Sequence, residues 1–250
     1  MVSDYEAATR HKYRLEANGP TVPGVTTVIN ILDKPGLKWA AAKITAEYTL
    51  NGYWPESPTR DELVRHCTGE FDREWREKAA RGTRVHAVAE AWARGETVDV
   101  SLADSGFVDA CEHFHETFKP QFALTECVVL NRNIGYGGRF DFIADLKGVG
   151  VVMGDWKTGG QRPLEAALQA SAYLHGVLAE YDEDGGLRRF KALPEVVGAR
   201  TVYLREDGTF EMSDPFAIIS EEQAWEGFKA CLALFKIHKQ LTQQLKQGEK

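Results

Sequence analysis

Gly138-Arg139-Phe140-Asp141, then Asp155-Trp156-Lys157, then Gln169-Ala170-Ser171-Ala172-Tyr173 stand in that order near the middle of the chain. Read as strand, strand and helix, they can bring two carboxylates and one lysine to a single point. Such a group can hold a hard divalent cation and present a water to a phosphodiester.

The geometry starts from alternation. Phe140, Phe142, Ala144 and Leu146 alternate with Arg139, Asp141, Ile143 and Asp145, so Asp141 is expected on the face opposite the phenylalanines. Val149 to Lys157 reads as a second strand, with Asp155 and Lys157 two positions apart on one face. Lys147-Gly148 marks the hairpin between the two. A two-residue loop there would set Asp141 opposite Gly154 and turn Asp155 away. A three-residue loop over Lys147, Gly148 and Val149 sets Asp141 opposite Asp155. The second register is preferred, because one magnesium needs its oxygens within about 2.0–2.1 Å. Facing carboxylates repel in a bare sheet, so this pairing makes sense with a cation between them.

By composition a D-x-K triplet arises by chance about once in a chain of this size. Asp155-Trp156-Lys157 gains weight from the G-x-x-D before it and the Q-x-x-x-Y after it. Pro163 suits the first turn of a helix whose expected apolar stripe is Leu164, Ala167, Leu168, Ser171, Leu174 and Leu178. Glu165, Gln169 and Tyr173 share a neighbouring stripe at i, i+4 and i+8.

These residues resemble the core of the PD-(D/E)XK nuclease superfamily, and within it the RecB-like branch, which includes a mitochondrial genome maintenance exonuclease and phage exonucleases. That branch carries a helical G-T-x-x-H-x-x-x-E signature, matched here by Gly82-Thr83-Arg84-Val85-His86-Ala87-Val88-Ala89-Glu90. Val22-Pro23-Gly24-Val25-Thr26-Thr27-Val28-Ile29 is similar, less specifically, to segments of phage members. The resemblance implies Asp141, Asp155 and Lys157 as catalytic residues. It implies His86, Asp141, Asp155 and the carbonyl of Trp156 as ligands of Mg2+ or Mn2+. Thr83, Arg84, Glu90, Gln169 and Tyr173 become supporting or substrate-binding residues, with Glu90 orienting the His86 ring or approaching a second ion. Several relatives hold an iron–sulfur cluster on three closely spaced cysteines after the core. Only Cys231 stands there in this chain, so no cluster is expected.

His86 also has support from the residues themselves. Phe71, Trp75, Ala79, Gly82, Ala89 and Ala93 trace an apolar stripe along a long helix, and His86 falls within it. Glu126 shares an expected strand face with Phe122, Leu124, Val128 and Leu130, and either supports the site or pairs with an arginine. Glu112 and His115 give an E-x-x-H on a helix, but no second such motif exists to complete a di-iron bundle. They are read as an exposed pair.

The fold expected is α/β, a restriction-endonuclease-like core with a central mixed sheet flanked by helices and an N-terminal helical elaboration. One domain is expected over 1–250. A mainly helical part to about residue 120 contributes His86. The core sheet and Q-x-x-x-Y helix fill about 121–215, and a C-terminal helix about 220–246. Before the sheet, an irregular start to Thr21 leads into a short strand or turn ending near Ile31. Helices follow over Gly36–Leu50, Asp61–Cys67, Phe71–Arg94 and Asp104–Lys119, with Asn51–Arg60 a connection. Val196–Leu204 and Thr209–Met212 form a closing hairpin, and Ser220 with Gln223 caps the last helix, whose polar tail from Gln240 should fray.

Composition limits the alternatives. The 250 residues are 43% hydrophobic and 27% charged, as in ordinary soluble proteins. No membrane segment or signal peptide is visible, so a cytoplasmic location is expected. Cys67, Cys111, Cys127 and Cys231 form no C-x-x-C pair, which speaks against disulfides and structural zinc. A net charge of −7 speaks against a general nucleic-acid binder. Two small basic runs remain: Arg73, Arg76, Lys78, Arg81 and Arg84, and Arg10, Lys12 and Arg14.

The expectation is therefore a Mg- or Mn-dependent deoxyribonuclease, leaning to an exonuclease on single-stranded or frayed DNA ends in recombination, repair or replication. DNA is the expected partner, with a single-strand-binding or annealing protein as a further one. A non-catalytic DNA-end binder and a restriction-type endonuclease stay open. A helical layer supplying His86 above the sheet should form a narrow passage rather than an open cleft.

Overall fold

The computed structural model describes residue 8 and residues 11–52, 58–96 and 100–248. Arg10 and much of the expected Asn51–Arg60 connection lie outside them. The architecture is α/β, a seven-stranded mixed sheet flanked by helices. No helix among the described residues is long and apolar enough to cross a membrane.

A hairpin of β1 (Tyr13–Arg14) and β2 (Thr21–Val22) comes first, followed by α1 (Val25–Ile29). Then come α2 (Pro35–Asn51), α3 (Arg60–Thr68), α4 (Glu70–Ala93) and α5 (Ser105–Phe118). The sheet contains β3 (Gln121–Asn131), β4 (Tyr136–Leu146), β5 (Gly150–Lys157), β6 (Val177–Tyr181), β7 (Leu187–Lys191), β8 (Gly198–Leu204) and β9 (Phe210–Ser213). Its spatial order is β7-β6-β3-β4-β5-β8-β9, and only β5–β8 is parallel. Helix α6 (Pro163–Leu174) carries the chain from β5, and α7 (Glu221–Gly248) ends it.

The β4–β5 ladder runs from Leu146↔Gly150 to Phe142↔Gly154, so Lys147, Gly148 and Val149 make the loop. One step further along that register, Asp141 stands opposite Asp155. This is the pairing expected from the three-residue loop.

The expected alternation fails at the same point. Phe140 packs with Ile143 and Met153 under α6 and α7, whereas Phe142 packs with Phe114 and Trp156 under α5. The two phenylalanines therefore lie on opposite faces. On β3 the faces slip as well: Phe122 joins the α5 side, Leu124 the other, and Val128 and Leu130 pack with Tyr13. Glu126, flanked by Thr125↔Phe142 and Cys127↔Phe140, has φ 52°. Left-handed backbone inside a strand breaks the pleat and re-aims the side chains beside it. Glu126 and Asp141 consequently lie side by side.

One other expectation is refined and three are corrected. The short strand or turn expected to end near Ile31 is strand β2 followed by a five-residue helix, in which Val25, Val28 and Ile29 bury one helical face in the core. Burial there overrides the preference of β-branched residues for strands. On α4 only Val85, Val88, Ala89 and Ala91 are buried. Trp75 is 42% exposed and stacks on Phe71, because the first half of the helix packs on α2 and α3 rather than on the sheet. On α6 Leu164 is exposed and Leu178 lies in β6, so the buried face is built instead from Ala167, Leu168, Ser171 and Ala172. The tail beyond Gln240 stays helical to Gly248, continuing a helix whose Ser220–Gln223 capping box makes both of its bonds, at 3.0 and 3.2 Å.

Candidate functional site

A cleft of about 640 Å3 opens where α1, α4, β3, β4, β5 and α6 meet. His86, Glu126, Asp141, Asp155, Lys157, Gln169 and Tyr173 all line it. The residues singled out from the sequence on three strands and two helices thus reach one place.

Helix α4 contributes His86, whose Nδ1 is 3.6 Å from Asp141 Oδ2. Val85 and Ala89 anchor that helix in the core, so the imidazole is aimed at the sheet. Its side chain is 32% exposed. Asp141 also accepts a hydrogen bond from the Trp156 backbone N–H at 2.5 Å. The tie from Trp156 to this site runs through that N–H.

Asp155 has different company. Its Oδ2 lies 2.5 Å from Lys157 Nζ, and its Oδ1 accepts from Gln169 Nε2 at 3.2 Å. Gln169 Oε1 accepts from Lys157 Nζ at 3.2 Å, and Gln169 Nε2 also donates to Tyr173 Oη at 2.7 Å. Gln169 and Tyr173, one turn apart, hold the lysine and the second acid in register. The glycine of G-x-x-D has a steric reason: a Cβ on Gly138 would come within 2.4 Å of the Tyr173 ring.

Donor atoms of His86, Glu126 and Asp141 lie within 4.8 Å of one another and could hold a metal ion. Asp155, expected in the ligand set, stands outside this trio because it is tied to Lys157 and Gln169. Glu126 takes a nearer place than the supporting one expected, while also pairing with Arg139 Nε at 2.8 Å. Both roles left open for Glu126 are therefore compatible with one position.

The titration pattern follows from crowding. Burial opposes charge on His86, but Asp141 outweighs it and holds the imidazole above its usual pKa. Burial would raise Asp141, yet His86 keeps it below the usual carboxylate range. Asp155 is raised, since burial together with the charge of Asp141 outweighs Lys157. Burial, then Asp141, pushes Glu126 up to about 7 against the pull of Arg139. Burial disfavours charged Lys157, but Asp155 and Asp141 overcome it and hold it protonated. Facing carboxylates thus divide into one acidic and one proton-retaining member.

The remaining three supporting residues all have partners on or near their own helix. Arg84 is engaged by buried Asp104, at 2.6 and 3.2 Å, and by Glu77 at 3.1 Å. Glu90 lines the cleft but pairs with Arg94 rather than with the His86 ring, an i,i+4 pairing favoured on any helix. Thr83 lines the cleft while its hydroxyl bonds back to the Ala79 carbonyl at 3.2 Å. His115 is not exposed: its ring packs between Trp92 and Phe122, burial lowers its pKa, and Glu112 alone faces solvent.

The cleft is also lined by residues that sequence reasoning passed over as site residues: His11, Thr26, Thr27 and Asn30 from the N-terminal segment, and Arg139 from β4. A five-residue helix such as α1 is too short to show a period in sequence. No family model matches the chain, and no curated protein is similar to it.

Proposed function

We propose that this chain is a metal-dependent nuclease, acting on DNA through a restriction-endonuclease-like core of the RecB-like PD-(D/E)XK type. The observation that carries the reading is the convergence of Asp141, Asp155, Lys157 and His86 on one cleft, with Gln169 bridging the second acid to the lysine. Few other chemistries use an imidazole, facing carboxylates and a buried-side lysine together.

The donor set suits a hard divalent cation such as Mg2+ or Mn2+: carboxylate oxygens and one imidazole, converging where the bare site is crowded with like charge. His86, Glu126 and Asp141 would hold it, and Asp155 would join them by leaving its contacts with Lys157 and Gln169. When bound, such an ion supplies Lewis acidity and a water of lowered pKa.

The protein's own groups do the rest. Lys157, kept protonated by the two acids, orients a nucleophilic water and stabilises charge developing on the phosphoryl oxygens. Gln169 and Tyr173 fix the lysine and Asp155, so their rotamers are set before substrate arrives. The walls from α1 and α4 flank the centre on two sides, which favours a flexible single strand or frayed end over rigid duplex.

The test is hydrolysis of matched linear and covalently closed single-stranded DNA, in Mn2+ and in EDTA. Degradation of the linear strand only, and only with metal, is expected, with the rate falling as salt rises. Equal cleavage of circles would overturn the preference for ends. Binding of ends without turnover would favour a non-catalytic end binder.

A further inference from the structure

Beside the first cleft lies a second cavity of about 630 Å3, and the two share Thr26, Asn30, Lys157 and Gln169 as a common wall. Cavities of roughly 300–1,000 Å3 hold ligands of nucleotide size. The charge of the two spaces is opposite. Acids dominate the first, in Glu90, Glu126, Asp141 and Asp155. The second is lined by five cations, Lys34, Lys78, Arg81, Lys157 and Arg162, against the single carboxylate of Glu165. In a chain of net charge −7 this is a marked local reversal.

Lys157 is held by Asp155, while the other four have partly exposed acidic partners: Lys34 lies 3.5 Å from Glu165 and donates to Asn30 at 2.7 Å, Arg162 lies 3.3 Å from Glu165, Lys78 3.1 Å from Glu74, and Arg81 3.8 Å from Glu206. Partly exposed pairs of this kind contribute little stability, so phosphates can compete for the cations. Arg81 Nε is buried with no hydrogen-bond partner among the described residues. Trp75, 42% exposed, lines the same cavity and is backed by Phe71 at 5.6 Å between ring centroids. Gly159 and Gly160 complete the wall, and a Cβ on either would meet nothing within 4 Å. Packing therefore gives no reason for either glycine, whereas close approach of a ligand backbone does.

We propose that this second cavity binds single-stranded nucleic acid next to the reacting phosphate. The phosphodiester backbone beyond the scissile bond lies along Lys34, Lys78, Arg81 and Arg162, and a base stacks on Trp75. The proposal rests on reading the first cleft as the hydrolytic centre, with Lys157 at the junction. It explains how an acidic protein holds a polyanion: the cations are concentrated in one arm instead of spread over the surface.

Binding of a fluorescent 5′-phosphorylated hexathymidylate is measured by anisotropy in EDTA at low salt, where no turnover occurs. Wild type, Arg162→Glu, Lys78→Glu and Trp75→Ala are compared, and their melting temperatures are recorded. The glutamate variants should weaken binding by about tenfold or more, and flatten its salt dependence. In Mn2+ their KM for a linear strand should rise while kcat stays within about threefold, the mark of lost binding rather than lost chemistry. Lys78 is the more exposed position and decides the matter if Arg162→Glu folds poorly. Unchanged affinity and KM in Lys78→Glu and Trp75→Ala would overturn the proposal while leaving hydrolysis untouched. Binding that is lost in Lys78→Glu, in a wild type that cleaves in neither Mn2+ nor Mg2+, would support the cavity and reject the nuclease reading instead.

Discussion

His86 on α4 stands 3.6 Å from Asp141 on β4, joining the helical layer to the sheet at the point where β3 and β4 exchange faces. The local break in the pleat is what lets one histidine, Glu126 and Asp141 share a space. His86 and Asp141 shift one another and both act on Glu126, and that makes the site testable without substrate.

The first test is pH. A raised His86 contributes stability that is present below its unfolded pKa of 6.5 and is lost as pH climbs through the folded value. Glu126, raised from 4.5 to about 7, keeps its proton longer in the folded state, so folding is disfavoured as pH rises across that interval. Raised Asp155 acts in the same direction. His11 and His115, both lowered by burial, act in the opposite direction, so the variant isolates the site: between about pH 5.5 and about pH 8 the Tm of wild type in EDTA should fall relative to that of Glu126→Gln. A wild-type Tm that rose relative to the variant's over this range would contradict the assignment.

Stability and function should separate at the second acid. Asp155→Asn removes a carboxylate that burial and Asp141 already disfavour, so the Tm in EDTA should rise. Hydrolysis should nevertheless fall by on the order of 10²–10³-fold. Lys157→Ala should also lose activity, but the 2.5 Å pair to Asp155 means its apo form melts lower than wild type instead of unchanged. Differential scanning calorimetry with parallel rate measurements distinguishes the two.

Arg84 provides a control within the helical motif. Its guanidinium serves buried Asp104, with Ser101 as the second partner of that carboxylate. Arg84→Ala should lower the Tm by several degrees while kcat stays near wild type. A selective loss of kcat with unchanged Tm would return Arg84 to the chemistry.

The two motif glycines should behave oppositely. Gly138→Ala drives a methyl into the Tyr173 ring and displaces the Gln169–Lys157 chain, so both Tm and kcat should drop. Gly82 lies inside α4 and a Cβ there would meet only Thr158 Oγ1 at 3.4 Å. Gly82→Ala should therefore stabilise by about 0.5–1 kcal/mol, as expected for a helix interior, with kcat retained. Urea titrations of both variants check the sign.

Much of this site was legible because its signals are local. Lys147-Gly148 marked a hairpin, and a length of three residues followed from requiring both acids on one ion; the β4–β5 register agrees. Gln169 and Tyr173 at i,i+4 announced a shared helix face, and their hydrogen bond follows from it. The face exchange was not legible, since a glutamate with φ 52° carries no mark in sequence. Nor was the fate of Arg84, whose partner Asp104 is brought close only by the packing of α4 beside α5. Glu90–Arg94 is readable in sequence, as an acid and a base at i,i+4 on one helix.

The most direct test is the initial rate of nucleotide release from end-labelled linear single-stranded DNA, in Mn2+, by wild type and Lys157→Ala purified side by side. Release by wild type, abolished by EDTA and reduced by on the order of 10²-fold or more in the variant, is the predicted result. Equal rates for the two proteins, or no release by wild type in Mn2+ or Mg2+, would contradict a phosphodiester-hydrolysing centre built on Asp141, Asp155 and Lys157.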